Sequence, residues 1–113
     1  MYQDRVVLCA SSSYEKKFYI NEDFQVLPEQ IKQELQIMCV LFTEDVGGVL
    51  SLEFDEDGTL LLKVDVDEGD FCHDEIGSAL KIKEIQRTKK ELLEAVEVFY
   101  KVFFLGEDAS DLL

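Results

Sequence analysis

Between residues 49 and 66 apolar and polar positions alternate with a period of two; from about residue 71 the period changes to three or four. Leu50, Leu52 and Phe54 fall on one side of residues 49–54, with Ser51, Glu53 and Asp55 on the other. Leu60, Leu62, Val64 and Val66 repeat the alternation over 59–66, leaving Lys63 and Asp65 to face water. Such alternation predicts two strands of an antiparallel sheet with one wet face. Nearer the start, "RVVLCA" at 5–10 predicts a strand apolar on both faces, "SSS" a loop, and "KKFYI" at 16–20 a second strand.

Residues 21–25 form a polar break, after which Pro28 and Glu29 mark a helix start. That helix is predicted over 28–44, with Ile31, Leu35, Met38 and Phe42 on one stripe. Its second half, "IMCVLF", is apolar all round, so it is expected to meet the sheet and also another helix or subunit. Gly47-Gly48 closes the unit. From about 71 the pattern is helical, with Ile76, Leu80, Ile82, Ile85, Leu92, Val96, Phe99 and Phe103 on a stripe. No Gly or Pro lies between 78 and 105, which predicts one continuous or gently bent helix, about 48 Å long. Thr88-Lys89-Lys90-Glu91 fits a capping box and marks where a break would fall. The predicted order is ββαββα: an α+β fold, a four-stranded antiparallel sheet with two helices on one face, the last of them long.

The length, 113 residues, suits a single domain spanning 1–113. The N-terminal segment lacks the apolar run of a signal peptide, and no apolar run approaches the roughly 20 residues of a membrane span. Cys9, Cys39 and Cys72 are odd in number and widely spaced, which argues for reduced thiols and a cytoplasmic location rather than a disulfide framework. Those cysteines with His73 could be counted as zinc ligands, but no C-x-x-C pair is present to chelate the ion.

Charge changes the picture most. The net charge is −14, and residues 44–75 hold twelve acids against one base, Lys63. Phosphate backbones are repelled by such a segment, so nucleic acid is excluded as a partner, while basic proteins or cations are attracted. In "EFDEDGTLLL", Glu53, Asp55, Asp57 and Gly58 occupy positions 1, 3, 5 and 6 of a calcium loop. The position needing a bidentate Glu is Val64, and the flanks are strands, so a hairpin turn is expected instead. Asp70 or Asp74 suits the cap of the last helix. His73 lies beside Asp74, and its H-x-E spacing to Glu75 lacks the P-C-x-x-C half of a deaminase site. Cys72 beside His73 is a candidate low-pKa thiol. No nucleophile elbow, P-loop or dinucleotide fingerprint occurs. No catalytic residue, metal ligand or cofactor is assigned.

The density of aromatic residues in "VEVFYKVFFLGED" points to a subunit seam built from Val96, Phe99, Tyr100, Phe103 and Phe104. The expected function is therefore a non-catalytic, self-associating protein acting through protein–protein contact, most simply as a homodimer. The alternative is an acidic mimic of nucleic acid or a cap on a basic partner; a small metal-dependent enzyme ranks behind both.

The stretches "LPEQIKQELQIMCVLFTEDVGGVLSLEFDEDG" and "DEIGSALKIK…ELLEAVEVFYKVFFLGED", with "YEKKFYINEDF", resemble a family of small acidic proteins from clostridial-type bacteria, a domain of unknown function. The resemblance covers nearly the whole chain and implies no activity, cofactor or catalytic residue.

Overall fold

The computed structural model describes residues 5–71 and 73–106. The chain runs through β1 (Val6–Ser12), β2 (Lys17–Ile20), a 3-10 turn (Glu22–Phe24), α1 (Glu29–Val46), β3 (Val49–Phe54), β4 (Leu60–Asp65), α2 (Glu75–Thr88) and α3 (Lys90–Phe103). The four strands form one antiparallel sheet in the order β2-β1-β3-β4.

Two differences from the sequence expectation shape the molecule. Strand β1 extends through Ser11 and Ser12 because both pair with β3, opposite Leu50 and Val49, and the Ser11 hydroxyl hydrogen-bonds that of Thr43 on α1. The C-terminal helical run is also divided, giving three helices where two were expected. At Lys89 the backbone takes φ −108° and ψ 21°, and the chain turns before α3 begins. The predicted capping box is not used: the Thr88 hydroxyl donates to the Glu84 carbonyl, and the cap of α3 has no side-chain hydrogen bond. A straight helix from 75 to 103 would run about 43 Å and carry one of its halves away from the apolar surface it covers. The break lets α2 pack on α1 while α3 packs on the Phe54–Leu60 end of the sheet. The helical run also begins later than predicted, at Glu75, where the Asp74 carboxylate accepts the Gly77 N–H as an N-cap.

The alternation in β3 and β4 is realised: Phe54, Leu52 and Leu50 stand opposite Leu60, Leu62 and Val64 on the side facing the helices. Val66 is corrected. It lies beyond the end of β4 and is 40% exposed. In β1 the register slips between Val7 and Cys9, and this bulge brings both Leu8 and Cys9 to full burial. Helix α1 presents Leu35, Met38, Cys39, Phe42 and Val46 to the core. The all-round apolar segment is not covered on every side: Ile37 and Leu41, one turn apart, are each 59% exposed. Ile76 and Leu80 of α2 also leave the expected buried stripe and face outward.

An aromatic stack joins the sheet end to α3. Phe24 lies against Phe54, Tyr100 and Phe104, with centroids 5.6, 6.3 and 4.8 Å away. Phe24 reaches this place because Asn21 caps the 3-10 turn, accepting the Asp23 N–H and donating to the Val7 carbonyl. Helix α3 adds a polar tie, the Glu97 carboxylate accepting the Leu60 N–H at 2.7 Å.

Candidate functional site

The acidic stretch 53–58 is a turn. Asp55 Oδ1 accepts the N–H groups of Asp57 (2.9 Å) and Thr59 (3.0 Å), and the backbones of Asp55 and Thr59 pair across the hairpin. Gly58 has φ +86°, a left-handed conformation that glycine adopts without a Cβ penalty. Asp55 therefore spends its carboxylate on its own backbone.

A cleft of about 630 Å³ lies where the end of β1 meets the end of α1 and the start of α2. Phe18, Val40 and Val46 give it apolar walls; Lys16, Lys17, Glu44, Asp45 and His73 supply charge and polarity. The types suggest a serine–histidine–acid constellation, but the hydrogen bonds do not form one. Ser11 is bonded to Thr43, and Ser12 Oγ accepts the Glu15 N–H. His73 packs instead on Gly47-Gly48. A Cβ at Gly48 would lie 3.4 Å from the imidazole and 3.0 Å from the Asp65 carbonyl, so the two positive-φ glycines make room for the ring. The Nδ1 of His73 is buried and finds no hydrogen-bond partner among the described residues. Beside the cleft, the Tyr14 hydroxyl donates to Asp70 (2.5 Å) and accepts the Asp67 N–H (3.0 Å), tying the 65–70 loop to the β1–β2 turn. The hydrogen bond to Asp70 holds the Tyr14 hydroxyl above the usual tyrosine range, with desolvation adding in the same direction.

The thiol candidates separate. Cys9 on β1 and Cys39 on α1 are free and fully buried. The neighbouring Cys39 thiol, and then burial, push the Cys9 thiol far above its ordinary pKa, so it is held neutral. Cys72 lies outside the described residues, and with it the reactive-thiol expectation. Among the described residues no group of three or more His, Cys, Asp or Glu side chains is arranged to hold a metal ion.

The five aromatic-seam residues also divide. Val96 and Tyr100 are turned into the chain's own core, Tyr100 stacking on Phe54. Burial, and then the Asp55 carboxylate, raise the Tyr100 hydroxyl above the usual tyrosine range. Phe99 is half-buried and stacks on Phe103 at 4.5 Å. Phe103 is 69% exposed; Phe104, against Phe24, and Leu105 are also exposed. Sequence periodicity puts Val96, Phe99 and Phe103 on one stripe. It does not say which side the sheet takes, because that depends on Phe54 and Phe24, far away in sequence.

These features define a small α+β protein built on one four-stranded antiparallel sheet, with an apolar surface at the end of its last helix. The chain belongs to the DUF6145 family of unknown function, whose model matches residues 5–108. No curated protein and no solved structure gives a significant match. No helix among the described residues is long and apolar enough to cross a membrane.

Proposed function

We propose that this chain is a non-catalytic cytoplasmic protein that works through contact with other protein chains, and that it self-associates through the C-terminal half of α3. The observation that carries this reading is the exposure of Phe103, with Phe104 and Leu105 after it, at the end of a helix whose Leu93, Val96 and Tyr100 are packed into the core. Contiguous exposed aromatic surface of this kind marks protein interfaces. The polar clusters support the same reading: Asp55 holds a turn, Asp74 caps a helix, and Ser11 and Ser12 hold backbone and side-chain neighbours. Size-exclusion chromatography with light scattering tests the proposal at about 100 μM, where weak association is populated by mass action. Wild-type protein is expected to run as a dimer. The Phe103→Glu variant should run as a folded monomer, because a charge there meets a desolvated partner surface. A monomeric wild type at that concentration refutes self-association.

A second reading rests on the charge of residues 44–75. Seven of their twelve acids fall within 55–57 and 65–70, around the two ends of β4, and form a field that suits a basic protein partner. Salt-sensitive capture by an immobilised basic protein would favour it; capture that persists unchanged at high salt would count against it.

A further inference from the structure

We infer that the free edge of β4, with the groove between it and α2, binds an extended segment of a basic protein partner, which adds antiparallel to the sheet and puts alternate apolar side chains into the groove; this rests on the acidic reading given second above. The pairing of β3 with β4 runs from Phe54–Leu60 to Val49–Asp65 without a slip. Next to the turn the Asp55 N–H donates to the Thr59 carbonyl, which sets the phase of the ladder. Leu60, Leu62 and Val64 therefore direct their N–H and C=O groups away from β3. Glu97 takes the Leu60 N–H, and no partner is found among the described residues for the outward groups of Leu62 and Val64. An added strand has its docking points there.

The groove beside them is about 500 Å³, within the usual range for ligand pockets. Val64 and Val66 form its sheet side; Ser78, Ala79, Ile82 and Lys83 form its helix side. It is open because α2 packs chiefly on α1 and α3 and turns the small Ser78 and Ala79 toward β4. Leu62, Val64 and Ile82 are left only half-buried. The rim from Leu62 to Val66 is about 13 Å long and the side of α2 from Ser78 to Gln86 about 12 Å, so the two walls match in length. In an antiparallel pair the residues opposite Leu62, Val64 and Val66 share their face, so these enter the groove and are apolar. Charge sets the residues between them. Asp65, Asp67 and Glu68 lie at the C-terminal end of the rim, and none of them is in an ion pair among the described residues. The N-terminal half of an antiparallel segment meets that end and is therefore basic, while the residue opposite Lys63 is uncharged. The order Lys-Lys-Val-Lys-Val-Thr-Val meets each of these demands.

Fluorescence anisotropy and amide hydrogen exchange with that peptide, capped and labelled, test the pairing on the intact chain. Wild type is expected to bind it at low salt, and the bound peptide to slow exchange of the Leu62 and Val64 N–H groups. Methylating the backbone nitrogen of the valine opposite Val64 keeps the charge and the side chain but removes a donor, and should weaken binding about tenfold. Ala79→Phe fills the groove from the helix surface and should weaken binding by a similar factor, with circular dichroism unchanged; the methylated peptide decides the matter on unaltered protein if that variant fails to fold. Binding that ignores both changes, binding that protects neither amide, or an immobilised basic protein that is captured while the peptide is not, overturns the strand addition and leaves the acidic reading standing. Protection of the two amides that grows with protein concentration in the absence of peptide makes a second copy the occupant and overturns the proposal as well. If neither the peptide nor the basic protein is bound at low salt, the acidic reading falls, and the pairing with it.

Discussion

The Tyr100 ring lies flat on the Phe54 ring, with centroids 4.1 Å apart and planes 6° from parallel. This contact fastens α3 to the sheet, and it separates two kinds of aromatic residue on one helix. Tyr100→Ala should cost about 3–5 kcal/mol, as for other large aromatic truncations in a core. Phe103→Ala, one turn away but exposed, should stay within about 0.5 kcal/mol at a concentration low enough to keep the chain monomeric. Urea denaturation of both variants checks the contrast. Equal losses would mean that Phe103 shares the core.

The hairpin turn gives a sharper chemical test. Asp55→Asn keeps an oxygen that can accept the N–H groups of Asp57 and Thr59, so its effect should be within about 0.5 kcal/mol, and Asp57→Asn should add little. Asp55→Ala removes the acceptor and should cost about 1–2 kcal/mol, the usual loss of a side chain that bonds local backbone N–H groups. Millimolar calcium should leave the melting temperature of wild type unchanged. A rise of several degrees that Asp55→Asn abolishes would reveal a cation at the turn.

How far these elements were legible depends on where their causes lie. The alternation in 49–54 and 59–66 located β3 and β4 because a period of two follows directly from the pleat, and Pro28 located the start of α1. Thr88-Lys89-Lys90-Glu91 marked where a break would fall, but that the helix breaks there was not legible. No Gly or Pro marks it, and it follows from α2 and α3 having different surfaces to cover. Ser11 and Ser12 resemble turn residues until Leu50 and Val49 supply their strand partners. The stripe of Val96, Phe99 and Phe103 was visible, but Val96 and Tyr100 were grouped with Phe103 because the position of Phe54 cannot be read from helical spacing.

Salt should stabilise this protein. Twelve acids within residues 44–75 repel one another, and the range of that repulsion shrinks to a Debye length of about 10 Å at 0.1 M. The melting temperature is expected to rise between low salt and about 0.5 M sodium chloride, where screening is stronger still. A level or falling trend would show that attractive pairs, not repulsion, dominate the segment.

The tyrosine titration has a definite sign. The Tyr14 hydroxyl donates to Asp70 in the folded chain, so its folded pKa lies above its unfolded value. The stability this contributes is fully present below the ordinary tyrosine pKa of about 10 and is lost as pH rises through the folded value. Ultraviolet absorbance should show Tyr14 ionising late in the native protein, and Tyr14→Phe should remove that late component. Loss of an early component instead would mean that the hydroxyl is not held by Asp70.

The bond from Leu60 to Glu97 has a consequence for colloidal behaviour. Strand β4 is a free rim of the sheet, and an uncovered rim is a template on which strands of other molecules can add, the first step of fibre growth. By accepting the Leu60 N–H, the Glu97 carboxylate occupies one of the rim's docking points and keeps a helix standing beside it. Further along, Lys63 and Asp65 put charge on the rim itself. Glu97→Ala would remove the first of these guards while leaving α3 in place, and its failure would be seen as loss of solubility on storage rather than as loss of the sheet.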